Sequence, residues 1–184
     1  ADNTVKYKTM ILERTVYDNT KALIDFAQGS HEIDTSLSDN ASELKRILRC
    51  IDDVVSHQEY VLDSLIVTAS CSPEGSYAHN SILASSRSES MRRYVWDYVP
   101  EEWRDKVRTA HVPENWTQLM KIVANDTLLT ASAKEKILEH SADSGKPDDA
   151  EKRISLMPEY RYLREKIYPQ LRSVSFDFHL HRAG

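Results

Sequence analysis

The apolar positions along this chain keep two rhythms. Leu44, Ile47, Leu48, Ile51, Val54 and Val55 recur at steps of three and four, the spacing that lines one face of a helix. The pattern predicts a helix from Asn40 to His57, and Asn40 with Glu43 three residues later resembles a capping box. "LIVTAS", Leu65–Ser70, is almost continuously apolar, as a strand in the interior of a sheet needs to be. "RSVSFDFHLH" alternates instead and places Phe176, Phe178 and Leu180 on one face of a closing strand. "ALIDFA" (Ala22–Ala27) and Val107–Val112 read as two further strands, and Val5–Val16 as an extended arm.

Helices fill the intervals. Ser72-Pro73-Glu74-Gly75 is a turn, and a helix follows it to about Tyr98, with Leu83, Met91, Tyr94 and Tyr98 as its apolar stripe. Between Pro113 and Pro169 lie several short helices with two stripes, Leu119, Met120, Ile122 and Val123, then Tyr160, Leu163 and Ile167. The linker "SADSGKPDD" breaks them and has nothing apolar to bury. The order β-α-β-α-β, helices, then β predicts an α/β (α+β) fold: a mixed sheet with helices packed on it.

Composition narrows the picture modestly. The 184 residues carry 24 basic and 29 acidic side chains, for a net charge of −5. No basic run stands out as a phosphate-binding stripe, which argues against nucleic acid as a partner. A mean hydropathy of −0.55 and the lack of a long apolar run exclude a transmembrane helix. The opening Ala1-Asp2-Asn3-Thr4 is polar and does not read as a signal peptide. Cys50 falls mid-helix and Cys71 at a strand end. Helix and strand rise ~1.5 and ~3.3 Å per residue, so the sulfurs end at different heights. A bridge needs Cα atoms within ~7 Å, and two partly buried thiols are expected instead.

One arginine is out of place. Arg87 lies four residues from both Leu83 and Met91, on the stripe that should face the core. A charge there requires a partner. The helix N-terminus, the turn's N–H groups and the hydroxyls of Ser70, Ser72 and Ser76 together suit a carboxylate or phosphate. Two explanations stand: a carboxylate of this same chain, or a bound ligand. Other candidates are weaker. Asp177, His179 and His181 alternate onto one strand face, which reads as a solvated face, and no metal is expected. Ser72 with His79 lacks a Gly-x-Ser-x-Gly elbow, and Cys71 lacks an activating partner. Trp96, Trp103 and Trp116 read as packing residues. No acid/base or nucleophile constellation points to an enzyme, and no cofactor is expected.

The stretch "LIVTASCSPEGSYAHNSILASSRSESMRRYV" resembles the core of the OmpA-like, peptidoglycan-associated domain. That family's pattern is an apolar strand, Gly-His-Thr-Asp, a Gly-containing turn, then Asn-x-x-Leu-Ser-x-x-Arg-Ala. Gly75, Asn80, Leu83, Arg87 and the small Ser88 fall in register with it. Phe26 would be the first-strand aromatic, and "VSFDFHL" looks like the closing strand. A branch from envelope proteins of Gram-negative anaerobes is more similar still, through Asn40, Glu43, Leu44, Pro113, Glu114, Trp116, Tyr168, Pro169, Leu171 and Arg172. The resemblance covers about Lys21 to Leu180. It implies an arm at 1–20, an OmpA-like domain at 21–184 and a helical insertion at about 113–169.

In the family, an aspartate and the arginine grip the ammonium and carboxylate of diaminopimelate in the peptidoglycan stem peptide. Arg87 matches the arginine, whereas the aspartate position falls on Ser72, and Leu171-Arg172-Ser173-Val174 replaces Asn-Arg-Arg-Val. The resemblance thus implies a non-enzymatic module of the periplasm or outer membrane. Its ligand would be a peptidoglycan stem peptide or an envelope protein partner. The expected ligand-binding residues are Ser72, Glu74, Gly75, Ser76, Asn80, Arg87 and Arg172. The alternative is an assembly domain of a fimbria-type surface appendage or envelope complex that has lost peptidoglycan binding.

Overall fold

Four strands of the described residues form one mixed sheet. The computed structural model describes residues 20–27, 29–143 and 145–183; the expected arm at 1–20 lies outside them except for Thr20. The first half comprises β1 (Thr20–Ala22), α1 (Asn40–Ser56), β2 (Tyr60–Ser70), α2 (Tyr77–Val95) and β3 (Val107–Val112). The second comprises α3 (Trp116–Asn125), α4 (Ala131–Ser141), α5 (Pro147–Ser155), a short α6 (Tyr160–Tyr162) and β4 (Ser173–Arg182). The strands lie in the order β1-β4-β2-β3, with β4 and β2 inside. β2 pairs antiparallel with β4, Val67 opposite Phe176, and parallel with β3, Val67 opposite Thr109. The fold is α/β with a mixed sheet.

Alternation along β2 and β4, with a register shift in β2 between Leu62 and Ser64, sends Leu62, Leu65, Val67, Phe176 and Phe178 to one face, where all are buried. Leu44, Ile47, Ile51 and Val54 of α1 and Met91 and Val95 of α2 close that core. Burying each such side chain contributes about 1.5–3 kcal/mol. The insertion makes a second core of its own from Trp116, Leu119, Val123, Ile137, Ile154, Leu163, Ile167 and Tyr168. No disulfide joins Cys50 to Cys71; the first is half-buried and the second buried.

Several local expectations need correction. "ALIDFA" is a strand only as far as Ala22. Beyond it, the Asn40 side chain takes the place of a neighbouring strand: Oδ1 accepts the Asp25 N–H at 2.8 Å and Nδ2 donates to the Asp25 carbonyl at 2.8 Å. That use of Asn40 removes it from capping. α1 starts at Asn40 itself, without a side-chain cap, and Glu43 pairs with Arg46 at 2.6 Å. β2 begins at Tyr60, five residues before the apolar run. The buried stripe of α2 is Asn80, Ala84, Arg87, Ser88, Met91 and Val95, while Leu83 is half-buried and Tyr98 exposed. The stripe mixes small residues, Ala84 and Ser88, with polar Asn80 and Arg87, so hydrophobicity alone does not mark this face. Finally, Pro147-Asp148-Asp149 at the end of the supposed linker is the first turn of α5, where proline and acidic residues are favoured.

Candidate functional site

β2 delivers Cys71 and Ser72 to its C-terminal end, and the chain turns through Gly75 into α2. Gly75 has φ +82°, a conformation in which any side chain is strained. Ser76 caps α2, its hydroxyl accepting the His79 N–H at 3.1 Å. Asn80, one turn in, holds the loop: its Nδ2 amide is shared among the carbonyls of Ser72 (3.3 Å) and Glu74 (2.7 Å) and the Glu114 carboxylate (2.8 Å).

Helical side chains lean toward the N-terminus, so Arg87 reaches back along α2 to this turn. It is buried, 6% exposed. Its Nε donates to the Ser30 carbonyl at 3.1 Å, Nη1 contacts Cys71 Sγ at 3.7 Å, and the guanidinium carbon stands 4.5 Å from the Phe26 ring centre. Among the described residues no carboxylate comes within ion-pair distance of Arg87, and Nη2 has no hydrogen-bond partner. Of the two expected partners, the in-chain carboxylate is not found among the described residues, where a carbonyl, a thiol and a ring face meet the guanidinium instead. Burial pulls the Arg87 pKa down, as does the nearby Arg172 charge, with Cys71 opposing. A guanidinium starts so high that it stays cationic. Burial pushes the Cys71 thiol up against the pull of Arg87, which keeps it neutral near pH 7.

Arg87 lines a groove of about 510 Å³ together with Phe26, Gly29, Cys71, Ser72, Glu74, Gly75, His79, Asn80, Leu83, Arg164 and Arg172. Six of the seven expected binding residues meet there. Ser76 does not, because its hydroxyl is spent on the cap. Ser70 is also withdrawn: its hydroxyl donates to the Leu171 carbonyl at 2.9 Å and lies 3.0 Å from the Ser173 hydroxyl. Arg172 is held loosely, 3.8 Å from Asp25 and 4.0 Å from Glu74.

Sequence reasoning missed Arg164, which the insertion brings to the groove from the irregular turn Leu163–Ile167. No motif marks it, since only the path of the insertion places it there. The insertion also approaches the turn through carboxylates. Glu114 is buried and accepts from Asn80 and, at 3.1 Å, from Trp116 Nε1. Burial pushes it up to about 7 despite both donors. Glu151 is buried as well and accepts the hydroxyls of Tyr160 (2.5 Å) and Tyr168 (2.6 Å); its pKa is likewise raised by burial. Asp148 accepts the Tyr77 N–H at the start of α2, at 2.8 Å.

Among the described residues no group of three or more His, Cys, Asp or Glu side chains is arranged to hold a metal ion. His181 of the Asp177, His179 and His181 face contacts Asp63 at 2.7 Å. No described helix is long and apolar enough to cross a membrane. No known family model matches the chain, and no curated protein matches it at a significant level.

Proposed function

We propose that the chain is a non-enzymatic cell-envelope module of the OmpA-like kind, periplasmic or outer-membrane-associated. Its groove binds an anionic group of the peptidoglycan stem peptide or of an envelope protein. The observation that carries this reading is Arg87: a buried cation, without a carboxylate partner among the described residues, facing an open groove. Such a charge is costly to keep unless an anion arrives to meet it. The order of elements agrees with the order expected from the resemblance, and the neutral Cys71 thiol offers no activated nucleophile.

A second reading is favoured by Ser72, which stands where the resemblance calls for aspartate, and by Arg164, which the insertion adds to the groove. On that reading the module assembles with a fimbria-type or other envelope partner and no longer holds the wall. Co-sedimentation with purified peptidoglycan separates the two. Retention by the unmodified protein, reduced at least tenfold by Arg87→Ala or Arg172→Ala, supports wall binding. Failure of the unmodified protein to sediment turns the assignment to the protein partner.

A further inference from the structure

The charges around the groove are lopsided. Arg87, Arg164 and Arg172 line it, against Glu74 as the one lining carboxylate among the described residues, and Glu74 already lies 4.0 Å from Arg172. The neighbouring acids are spent elsewhere. Glu114 faces Asn80 and Trp116, Glu151 faces two tyrosines, and Asp148 caps α2. Asp25 accepts the Ser38 hydroxyl at 2.6 Å through one oxygen and lies 3.8 Å from Arg172 through the other. The strand end itself contributes only neutral groups to the groove, the Ser72 hydroxyl and the Cys71 thiol.

We propose that the groove selects a carboxylate whose neighbouring nitrogen is acylated, as at the C-terminus of a peptide, over the carboxylate of a free amino-acid group. This rests on the reading of the groove as an anion site. The carboxylate meets Arg87 and Arg172 in charge-assisted hydrogen bonds. An uncharged amide N–H finds an acceptor in the Ser72 hydroxyl, and Phe26 and Leu83 give the adjoining chain an apolar wall. A free ammonium beside the carboxylate would face the same three arginines, and the one carboxylate lining the groove among the described residues, Glu74, already lies toward Arg172. Like charges at that range cost at least an order of magnitude in affinity.

The test is an NMR-monitored titration with N-acetyl-leucine, leucine and inorganic phosphate, repeated on Arg172→Met and Arg164→Gln. Both substitutions are at side chains outside the two cores, so the fold should persist. Expected is N-acetyl-leucine binding at least tenfold tighter than leucine, with shifts centred on residues 71–87 and affinity reduced tenfold or more by Arg172→Met. Leucine binding as well or better overturns the selectivity and leaves the anion groove standing. Phosphate binding more tightly than either overturns the carboxylate assignment. Silence from all three probes overturns the groove as an anion site, and this inference with it.

Discussion

The guanidinium carbon of Arg87 stands 4.5 Å from the centre of the Phe26 ring. A desolvated cation over an aromatic face gains about 2 kcal/mol, which offsets part of the cost of burying Arg87 from water. A double-mutant cycle between Phe26→Leu and Arg87→Met should give a coupling of about 1–2 kcal/mol in urea unfolding. Additive effects would show that the ring is merely a neighbour.

Asn40 is the other polar side chain on which local structure turns. It is fully buried and bonds Asp25 twice and the Asp34 carbonyl once, at 2.8 Å each. Asn40→Leu should destabilise the protein by about 2–4 kcal/mol, because one N–H and two carbonyls lose their partner. Asn40→Asp should cost at least as much, since a carboxylate would then face those carbonyls. Denaturant midpoints decide it; a loss under ~1 kcal/mol would mean water replaces the amide.

These two residues also mark what the sequence made legible. Periodicity reports burial of apolar side chains, so α1, the C-terminal half of β2, β3, β4 and the stripes of the insertion were readable from the apolar positions. Arg87 was readable because it broke such a pattern. Asn40 misled, because Asn three residues before Glu signals a cap and nothing local reveals that Asp25 and Asp34 claim its amide. Arg164 was invisible for the same reason: it lines the groove with Arg87 only through the fold of the insertion. Glu114 could have been suspected from its place beside Trp116, yet burial is what makes it unusual.

That burial makes stability depend on pH. Glu114 is held up at about 7 in the folded protein, above the ordinary glutamate value of about 4.3. A raised carboxyl pKa means that the folded state holds the proton more tightly. Its contribution is therefore full below about pH 4 and is lost as pH rises through about 7. The size is up to about 3 kcal/mol, and Glu151 acts in the same direction. Glu114→Gln should flatten the stability profile between pH 5 and 7.5, measured by urea unfolding at each pH. An unchanged slope would place the titration elsewhere.

The insertion has its own core, with Leu119 and Val123 fully buried, while Ala142, Asp143 and Gly145 are exposed between α4 and α5. Subtilisin at low ratio should cut first between Ala142 and Lys146, with the two fragments staying associated. Early cleavage inside Leu119–Val123 would contradict the packing of α3, and mass spectrometry of the first fragments distinguishes the two. α5 itself should resist, since Ala150 and Ile154 are buried.

Ser72 closes the strand end of the groove with a neutral group, so the proposed site would offer an ammonium no counter-charge at that position. Ser72→Asp should supply one. The new carboxylate would sit in the groove that Arg87 lines, so that a cation of the chain partly balances it. With the carboxylate present, leucine and diaminopimelate-bearing peptides should bind about ten- to a hundredfold more tightly than to the unmodified protein, because a charged hydrogen bond is worth about 1.5–3 kcal/mol. N-acetyl-leucine should weaken, since its carboxylate would compete with the new one for Arg87. Calorimetry on the two proteins with both ligands reads the crossover. If Ser72→Asp changes neither affinity, the ligand lies away from the strand end, and Arg172 rather than Arg87 anchors it. If both ligands weaken together, the new carboxylate has simply claimed Arg87, and the groove has no room for an ammonium beside it.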